Sequence, residues 1–457
     1  MSVSMSPVDA SLESAPARLR SFLRTTLSRR RNLLEVVIRA SQVLAIRLAG
    51  AGLTYASMVF LARWLGPYNF GIYAYVLVII TLLGLAFSFG LNSSGLRFVP
   101  SYLARRKLRR LSGFIRRSHG IVLGLSLAGA LCCAGLALVF RSSIEPYYVA
   151  PLLVGLLCVP IWTLLNQFEA TARSFGWVNV AYIPGFILRP LLVMGGVGGV
   201  VWLHGSADAV SALWALTGAC AIAALVQGVL VLVGIKPHLA NVKPTFHTAH
   251  WFTISLNFLM IDGFRMLLDN TDVLMIGRLL DPHSVAVYFA AIRSGGLVAF
   301  VSFSMMAFAV PKFAEIHSTG TQQELQKFVT EVIQMMFWPS LLTAAGLAIL
   351  GPFILSLFGA DFKMGYPTML VVLGGLVLRS ATGPVEYLLN VTGHHRDTMR
   401  VYALAAVASV VLNLILIPTL GIIGAAIATY TAMLGGNAYL YVLVKKRLGV
   451  RAFIFRL

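Results

Sequence analysis

ARWLGPYNFGIYAY, residues 62–75, returns in altered form as GRLLDPHSVAVYFA at residues 277–290. The offset is 215 positions (277 minus 62), and in that register Arg63 matches Arg278, Leu65 matches Leu280, Pro67 matches Pro282 and Tyr73 matches Tyr288. Several of the other exchanges are mild: Phe70 for Val285, Gly71 for Ala286, Ile72 for Val287. Each copy closes one long apolar stretch and opens another. One motif at the same place in each half predicts an internally duplicated membrane protein, a transporter whose pathway runs between the halves.

Composition agrees. Of 457 residues, 58% are hydrophobic and 11% charged, with a mean hydropathy of +0.84; a soluble domain carries about 25% charged residues. Apolar runs of about 20 residues, each long enough for the hydrocarbon core of a bilayer, recur along the whole chain. Twelve are discernible: 38–62, 72–96, 119–140, 148–166, 178–203, 208–235, 252–278, 284–310, 328–357, 366–390, 399–417 and 420–444. The expected fold is an all-α polytopic membrane protein with about twelve transmembrane helices.

The net charge of +20 suggests nucleic acid until its placement is considered. Basic residues gather at Arg18, Arg20, Arg24, Arg29, Arg30, Arg31 and Arg39, before or entering the first span. They gather again at Arg97, Arg105, Arg106, Lys107, Arg109, Arg110, Arg116 and Arg117, between the second and third. Lys445, Lys446, Arg447, Arg451 and Arg456 close the chain. In a twelve-span topology all three groups fall on one side, and the opposite loops hold only Arg63, Arg141, Arg278 and Lys363. That asymmetry is the positive-inside pattern, so both termini are expected on the cytoplasmic side. The excess charge then sets topology and meets anionic membrane lipids; no nucleic-acid role is expected.

The polar segment 1–33 is expected to be a disordered, basic cytoplasmic tail. Its SRRRNLL run (28–34) faintly resembles a twin-arginine export signal, but Arg39 and Arg47 interrupt the apolar segment that follows, and no small-residue cleavage site closes it. Cys132, Cys133, Cys158 and Cys220 all lie in apolar spans and read as small hydrophobes.

Six spans separate the two motif copies. An even number returns the chain to the same side, so the halves, 34–240 and 241–457, should be parallel repeats: two six-helix bundles about an axis along the membrane normal. Their junction is the loop near 236–251, with Lys236, Pro237, Lys243 and Pro244. The stretch 97–118 mixes basic residues with Phe98, Val99, Leu103, Leu111, Phe114 and Ile115, and reads as an amphipathic linker helix on the cytoplasmic surface. Glycine clusters and prolines soften several spans. Pro190, next to a buried charge, is the better candidate for a flexible gate.

Five arginines fall inside apolar spans: Arg47, Arg189, Arg265, Arg293 and Arg379. A central arginine costs about 2.5–3.5 kcal/mol on insertion scales, so it normally faces protein or a water-filled cavity. Arg189, Arg265 and Arg379 are too deep to snorkel easily; Arg47 and Arg293 lie nearer span ends. Forked, permanently charged donors suit phosphate oxygens, and a cavity lined by them would favour a polyanionic head group such as a lipid-linked pyrophosphate. The seventh span also carries Asp262, Asp269 and Asp272. Spacings of three and four place Asp262, Arg265 and Asp269 on one helical face, either as a self-neutralising ladder or as a carboxylate coupling transport to H+ or Na+. Arg379 and Glu386 pose the same choice in the tenth span.

Chemistry beyond transport finds little purchase. No P-loop occurs. His238, His247 and His250 share a loop without an acidic or cysteine partner, which argues against a metal site. The loops are too short for a glycosyltransferase domain. No cofactor and no enzymatic activity are expected.

Four stretches carry a family resemblance: LGPYNFGIY (65–73), DVLMIGRLLDPHSVAVYFAAIR (272–293), LNVTG (389–393) and NLILIPTLGIIGAAIAT (413–429). In this order and spacing they resemble the Wzx-type O-antigen and exopolysaccharide flippases of the multidrug/oligosaccharidyl-lipid/polysaccharide (MOP) superfamily. The resemblance implies two six-helix bundles in the V shape of MATE and MurJ transporters, working by alternating access around a central cationic cavity. The implied cargo is an undecaprenyl-pyrophosphate-linked oligosaccharide, with a polysaccharide polymerase and glycosyltransferases as partners. Arg47, Arg189, Arg265, Arg293 and Arg379 would fit that cavity, and Asp272 opens one of the family stretches. A lipid II or multidrug exporter of the same superfamily, or a non-transporting scaffold of a polysaccharide assembly complex, are the competing readings.

Overall fold

A computed structural model describes residues 17–240 and 242–455, with side chains from Gln42 onward except at positions 238, 303, 307, 308, 311 and 319. Among these residues the chain is helical throughout, with short 3-10 and π turns and no strand. The first half comprises α1 (Ala17–Ser88), α2 (Leu91–Ala104), α3 (Leu108–Val139), α4 (Pro146–Ser174), α5 (Val178–Ile183), α6 (Arg189–His204) and α7 (Ala209–Leu239). The second comprises α8 (Thr248–Leu279), α9 (Pro282–Gly295), α10 (Ala299–Thr319), α11 (Gln322–Ser356), α12 (Tyr366–Ala381), α13 (Val385–Val391) and α14 (His395–Leu448).

Among the described residues, ten helices are long and apolar enough to cross a membrane. Two are too long to cross once: the apolar part of α1 runs 47 residues and α14 runs 54, about 70 and 80 Å against a hydrocarbon core of about 30 Å. Each is broken by one glycine in a non-helical conformation, Gly66 (φ 72°, ψ 166°) and Gly421 (φ 59°, ψ −139°). Ten helices with two doubled make twelve crossings. Gly66 occupies a region of backbone space that is nearly exclusive to glycine, and Pro67 then starts the next span with φ already set. The second motif copy reaches the same end differently. Asp281 takes the place of Gly66 and caps α9, accepting the Ser284 N–H at 2.9 Å, with Pro282 in the first turn.

The two motif copies pack against each other. A Cβ on Gly71 would stand 1.7 Å from the carbonyl oxygen of Pro282, and one on Gly277 would stand 2.4 Å from the Tyr75 ring. Phe70, fully buried, crosses from the first half into an aromatic group of Phe289, Phe358 and Phe362, with ring centroids at 6.1, 6.5 and 6.1 Å. Arg63 adds donors to the C-terminal carbonyls of α11, 2.5 Å to Leu357 O and 3.4 Å to Ser356 O. The largest hydrophobic core accordingly contains residues of both halves.

At the opposite, basic end the halves touch mainly through the start of α8. Trp251 Nε1 donates to Tyr102 Oη at 2.9 Å, Ser94 and Ser255 share a 2.7 Å bond, and Phe89 stacks on Phe252 at 4.0 Å.

Three stretches near this end differ from expectation. Residues 97–118 form no separate surface helix; they are the end of α2, a turn at Arg105–Lys107 and the start of α3. Their apolar residues Phe98, Val99, Leu111, Phe114 and Ile115 are buried in a cluster with Leu239 and Trp251, contacts too distant in sequence for local periodicity to anticipate. Residues 17–33 of the expected disordered tail continue α1, with no proline or glycine between Pro16 and Gly50 to stop it; residues 1–16 lie outside the described residues. The C-terminal segment is a strap. Val450 and Ala452 are buried, and Gln326 brackets the Arg451 backbone, donating to its carbonyl at 2.9 Å and accepting its N–H at 2.7 Å.

Candidate functional site

Above the aromatic seal, toward the basic end, lies a cavity of about 370 Å³ between the halves. The first half contributes Thr54, Ser57, Tyr73, Trp162 and Arg189 among others; the second contributes Met266, Asp269, Asn270 and Arg293. Arg189 and Arg293, 104 positions apart in sequence (293 minus 189), thus line one space. Arg293 stands over the Phe289 ring at 4.7 Å, which ties it to the seal below.

The local reason Arg189 reaches this wall is a π-turn, Pro184–Leu188, between α5 and α6. Pro190 has no N–H to give the carbonyl of Phe186, and in a regular helix its ring would collide with that carbonyl. Widening the turn relieves the clash, and the Arg189 N–H bonds Pro184 O instead. The expected soft point at Pro190 is therefore a wide turn. It shifts the register of everything after it, so ordinary helical spacing does not tell which way Arg189 faces.

Arg265 and Arg379 go elsewhere. They lie with Asp269, Tyr402, Met433 and Asn437 in the interior of the second half. Arg379 pairs with Glu386 at 3.9 Å and donates to Met433 Sδ at 3.6 Å. Both Arg379 and Glu386 also border a separate cavity of about 210 Å³ formed by α10 to α14. Asp269 lines both the central cavity and this arginine cluster, so it is the junction between them. Arg47 bonds the Tyr182 hydroxyl at 3.1 Å, with its guanidinium 4.6 Å above that ring.

The remaining acids separate as well. Asp262 accepts from Ser93 Oγ at 2.7 Å, joining α8 to α2 near the basic end. Asp272 is 3% exposed and accepts from the Tyr288 hydroxyl and, at 2.8 Å, the Val273 N–H. The 215-residue offset pairs Asp272 with Ser57 and Tyr288 with Tyr73, and those two first-half residues line the central cavity. Nearby, Asn413 reaches Ser409 O at 2.8 Å and Thr429 Oγ1 at 3.4 Å.

Residues absent from the sequence reading also matter. Asn270 belongs to the DNTD run at 269–272, an unbroken polar stretch in an apolar span that was signal enough. Glu169, 3.5 Å from Arg173, was also legible as an acid just past the fourth apolar run. Trp162 gave no signal, since a tryptophan in an apolar helix is ordinary.

Comparison with known proteins places this geometry. Residues 40–317, more than half of the chain, match the family model described as polysaccharide biosynthesis protein. The chain is 22% identical over 388 residues to the "Probable low-salt glycan biosynthesis flippase Agl15" of Haloferax volcanii, covering 83% of this chain and 77% of that protein. It is also 22% identical over 408 residues to an uncharacterized membrane protein of Methanocaldococcus jannaschii, covering 83% and 78%. Among solved structures, an inward-facing MATE multidrug transporter superposes with TM-score 0.73 at 15% identity, covering 90% of this chain and 98% of that one. The lipid II flippase MurJ superposes with TM-score 0.67 at 17% identity, covering 90% and 87%. The expected all-α polytopic fold is thus one that these transporter structures share. With twelve crossings, a duplicated motif and a family match across both motif copies, the chain belongs to the polysaccharide biosynthesis protein family, on a membrane fold that MATE and MurJ structures share.

Proposed function

We propose that this transporter moves a polyprenyl-pyrophosphate-linked oligosaccharide, a repeat unit of O-antigen, capsule or exopolysaccharide, across a bacterial inner membrane by alternating access. The observation that carries the reading is the placement of Arg189 and Arg293, one from each half, on the wall of one cavity. Guanidinium groups keep their charge at any physiological pH and can offer a phosphate two parallel donors each. A site shared by two repeats can hold a head group while the repeats rock around it. The glycan part of the proposal draws support from the family match and from the Haloferax volcanii relative.

The basic end, with both termini, faces the cytoplasm in this reading. Anionic lipids meet that face, and a polymerase and glycosyltransferases work on either side of the transport step. Asp269 is the preferred group for H+ or Na+ coupling, because it alone of the four candidate acids lines the central cavity among the described residues. Asp262, Asp272 and Glu386 are held by Ser93, Tyr288 and Arg379 respectively.

In cells, Arg189→Ala and Arg293→Ala should each lower surface polysaccharide at least about tenfold, the scale of a lost charge-assisted phosphate contact. Lipid-linked repeat units should accumulate while protein abundance in the membrane is unchanged, and lysine at either position should restore part of the export. Wild-type export by both alanine variants would contradict the proposal. The MATE and MurJ likenesses admit other cargoes. A drug-susceptibility change on deletion would favour a multidrug exporter, and rescue of a lipid II flippase deficiency would favour lipid II.

A further inference from the structure

We propose that Trp162 is a positioning residue for Arg189, holding its guanidinium in the central cavity with the N–H donors left free for a pyrophosphate. The inference rests on the pyrophosphate reading of the cavity and adds to it the group that makes Arg189 competent. The Arg189 guanidinium carbon lies 4.4 Å from the centroid of the Trp162 ring. Among the described residues no hydrogen bond or ion pair holds this side chain. Two other span arginines differ: Arg379 has Glu386 and Arg47 has the Tyr182 hydroxyl, whereas Arg293 likewise stands over a ring, that of Phe289.

A cation deep in a membrane protein needs a counterpart. An indole face supplies one through its quadrupole and consumes none of the five N–H donors. A carboxylate would attract Arg189 more strongly, but it would occupy the donors and compete with an incoming phosphate. An aromatic face is the counterpart that leaves the receptor vacant. Tryptophan serves best, having the strongest cation-binding face of the aromatic side chains.

The rest of the fold fixes the ring. Trp162 sits on α4 and is only 9% exposed. Its edge is received at Gly84 of α1, where a Cβ would stand 2.9 Å from the indole Cδ1. The π-turn ending at Arg189 brings the guanidinium from α6 to the ring's cavity side. Three elements that are distant in sequence therefore converge on one stacked pair: α1 by omission of a side chain, α4 by the indole, α6 by its wide turn.

The experiment titrates inorganic pyrophosphate into the purified full-length protein in lipid nanodiscs, read by calorimetry and by tryptophan emission. Expected results are a dissociation constant raised at least about tenfold by Arg189→Ala. Trp162→Leu should raise it about three- to thirtyfold, the range of a desolvated cation–π contact. Trp162→Phe should retain binding within about threefold, since a ring face remains. Pyrophosphate should shift the emission of the wild type, and the shift should vanish in Trp162→Phe although six of the seven tryptophans and the binding persist. Trp162→Leu is scored only with a thermal midpoint near wild type; failing that, the emission shift decides. Wild-type affinity in Trp162→Leu, or an undiminished shift in Trp162→Phe, overturns the positioning role while leaving the cavity reading standing. Wild-type affinity in Arg189→Ala overturns both.

Discussion

Tyr288 is the motif tyrosine of the second half, and its hydroxyl donates to the buried Asp272 carboxylate. Its first-half counterpart, Tyr73, lines the central cavity, where water can replace a lost partner. One substitution therefore has two expected outcomes. Tyr288→Phe should destabilise the protein by about 1–3 kcal/mol, because the buried carboxylate would lose a donor and keep the Val273 N–H and the Thr429 hydroxyl. Tyr73→Phe should cost less than about 1 kcal/mol. Comparing thermal midpoints of the two variants in detergent checks this, and equal losses would refute it. The sequence marks the deep arginines as residues needing a reason, but not which of them share a space. Facing depends on register along the helix. The π-turn before Arg189 alters that register in a way that spacing rules do not contain, while Arg265 and Arg379 turn inward to the acids of their own half. Trp162 was invisible for a different reason: its role arises only when Arg189 and Gly84 are brought to it.

Twelve crossings were legible because each needs about 20 apolar residues and the runs are punctuated by glycine, proline or charge. Residues 97–118 depart from the expected surface linker because their apolar residues are covered by Trp251 and Leu239, far along the chain. The strap at the C-terminus was read only as a basic tail. Its alternating burial of Val450 and Ala452 spans too few residues to stand out. The two motif copies solve the same turn by different chemistry, and this gives an asymmetric prediction. Gly66→Ala should destabilise by about 1–3 kcal/mol through its backbone conformation alone. Asp281→Ala removes a cap and should cost about 0.5–2 kcal/mol, while Asp281→Ser or Asp281→Asn should be nearly neutral. Chemical or thermal denaturation of the variants tests both; a Gly66→Ala protein as stable as wild type would mean the turn relaxes to an ordinary conformation.

Across the whole molecule, the duplicated motif is also the contact between the halves. Phe70 and its aromatic partners seal the cavity toward the motif end, and Arg63 binds the last carbonyls of α11 across the same junction. Under the proposed cycle this seal parts when the cargo leaves, so the motif's repetition and its position at the junction have one physical origin. Alternating access requires that the cavity be shared and that its charges act on the head group from both sides. The most direct test is transport by the purified protein in proteoliposomes, with a fluorescent polyprenyl-pyrophosphate-linked oligosaccharide whose leaflet is reported by an impermeant quencher. Wild type should move the lipid between leaflets. Arg189→Ala with Arg293→Ala should fall to the protein-free rate, and the double lysine variant should lie between. A double alanine variant that moves the lipid at the wild-type rate would contradict the account.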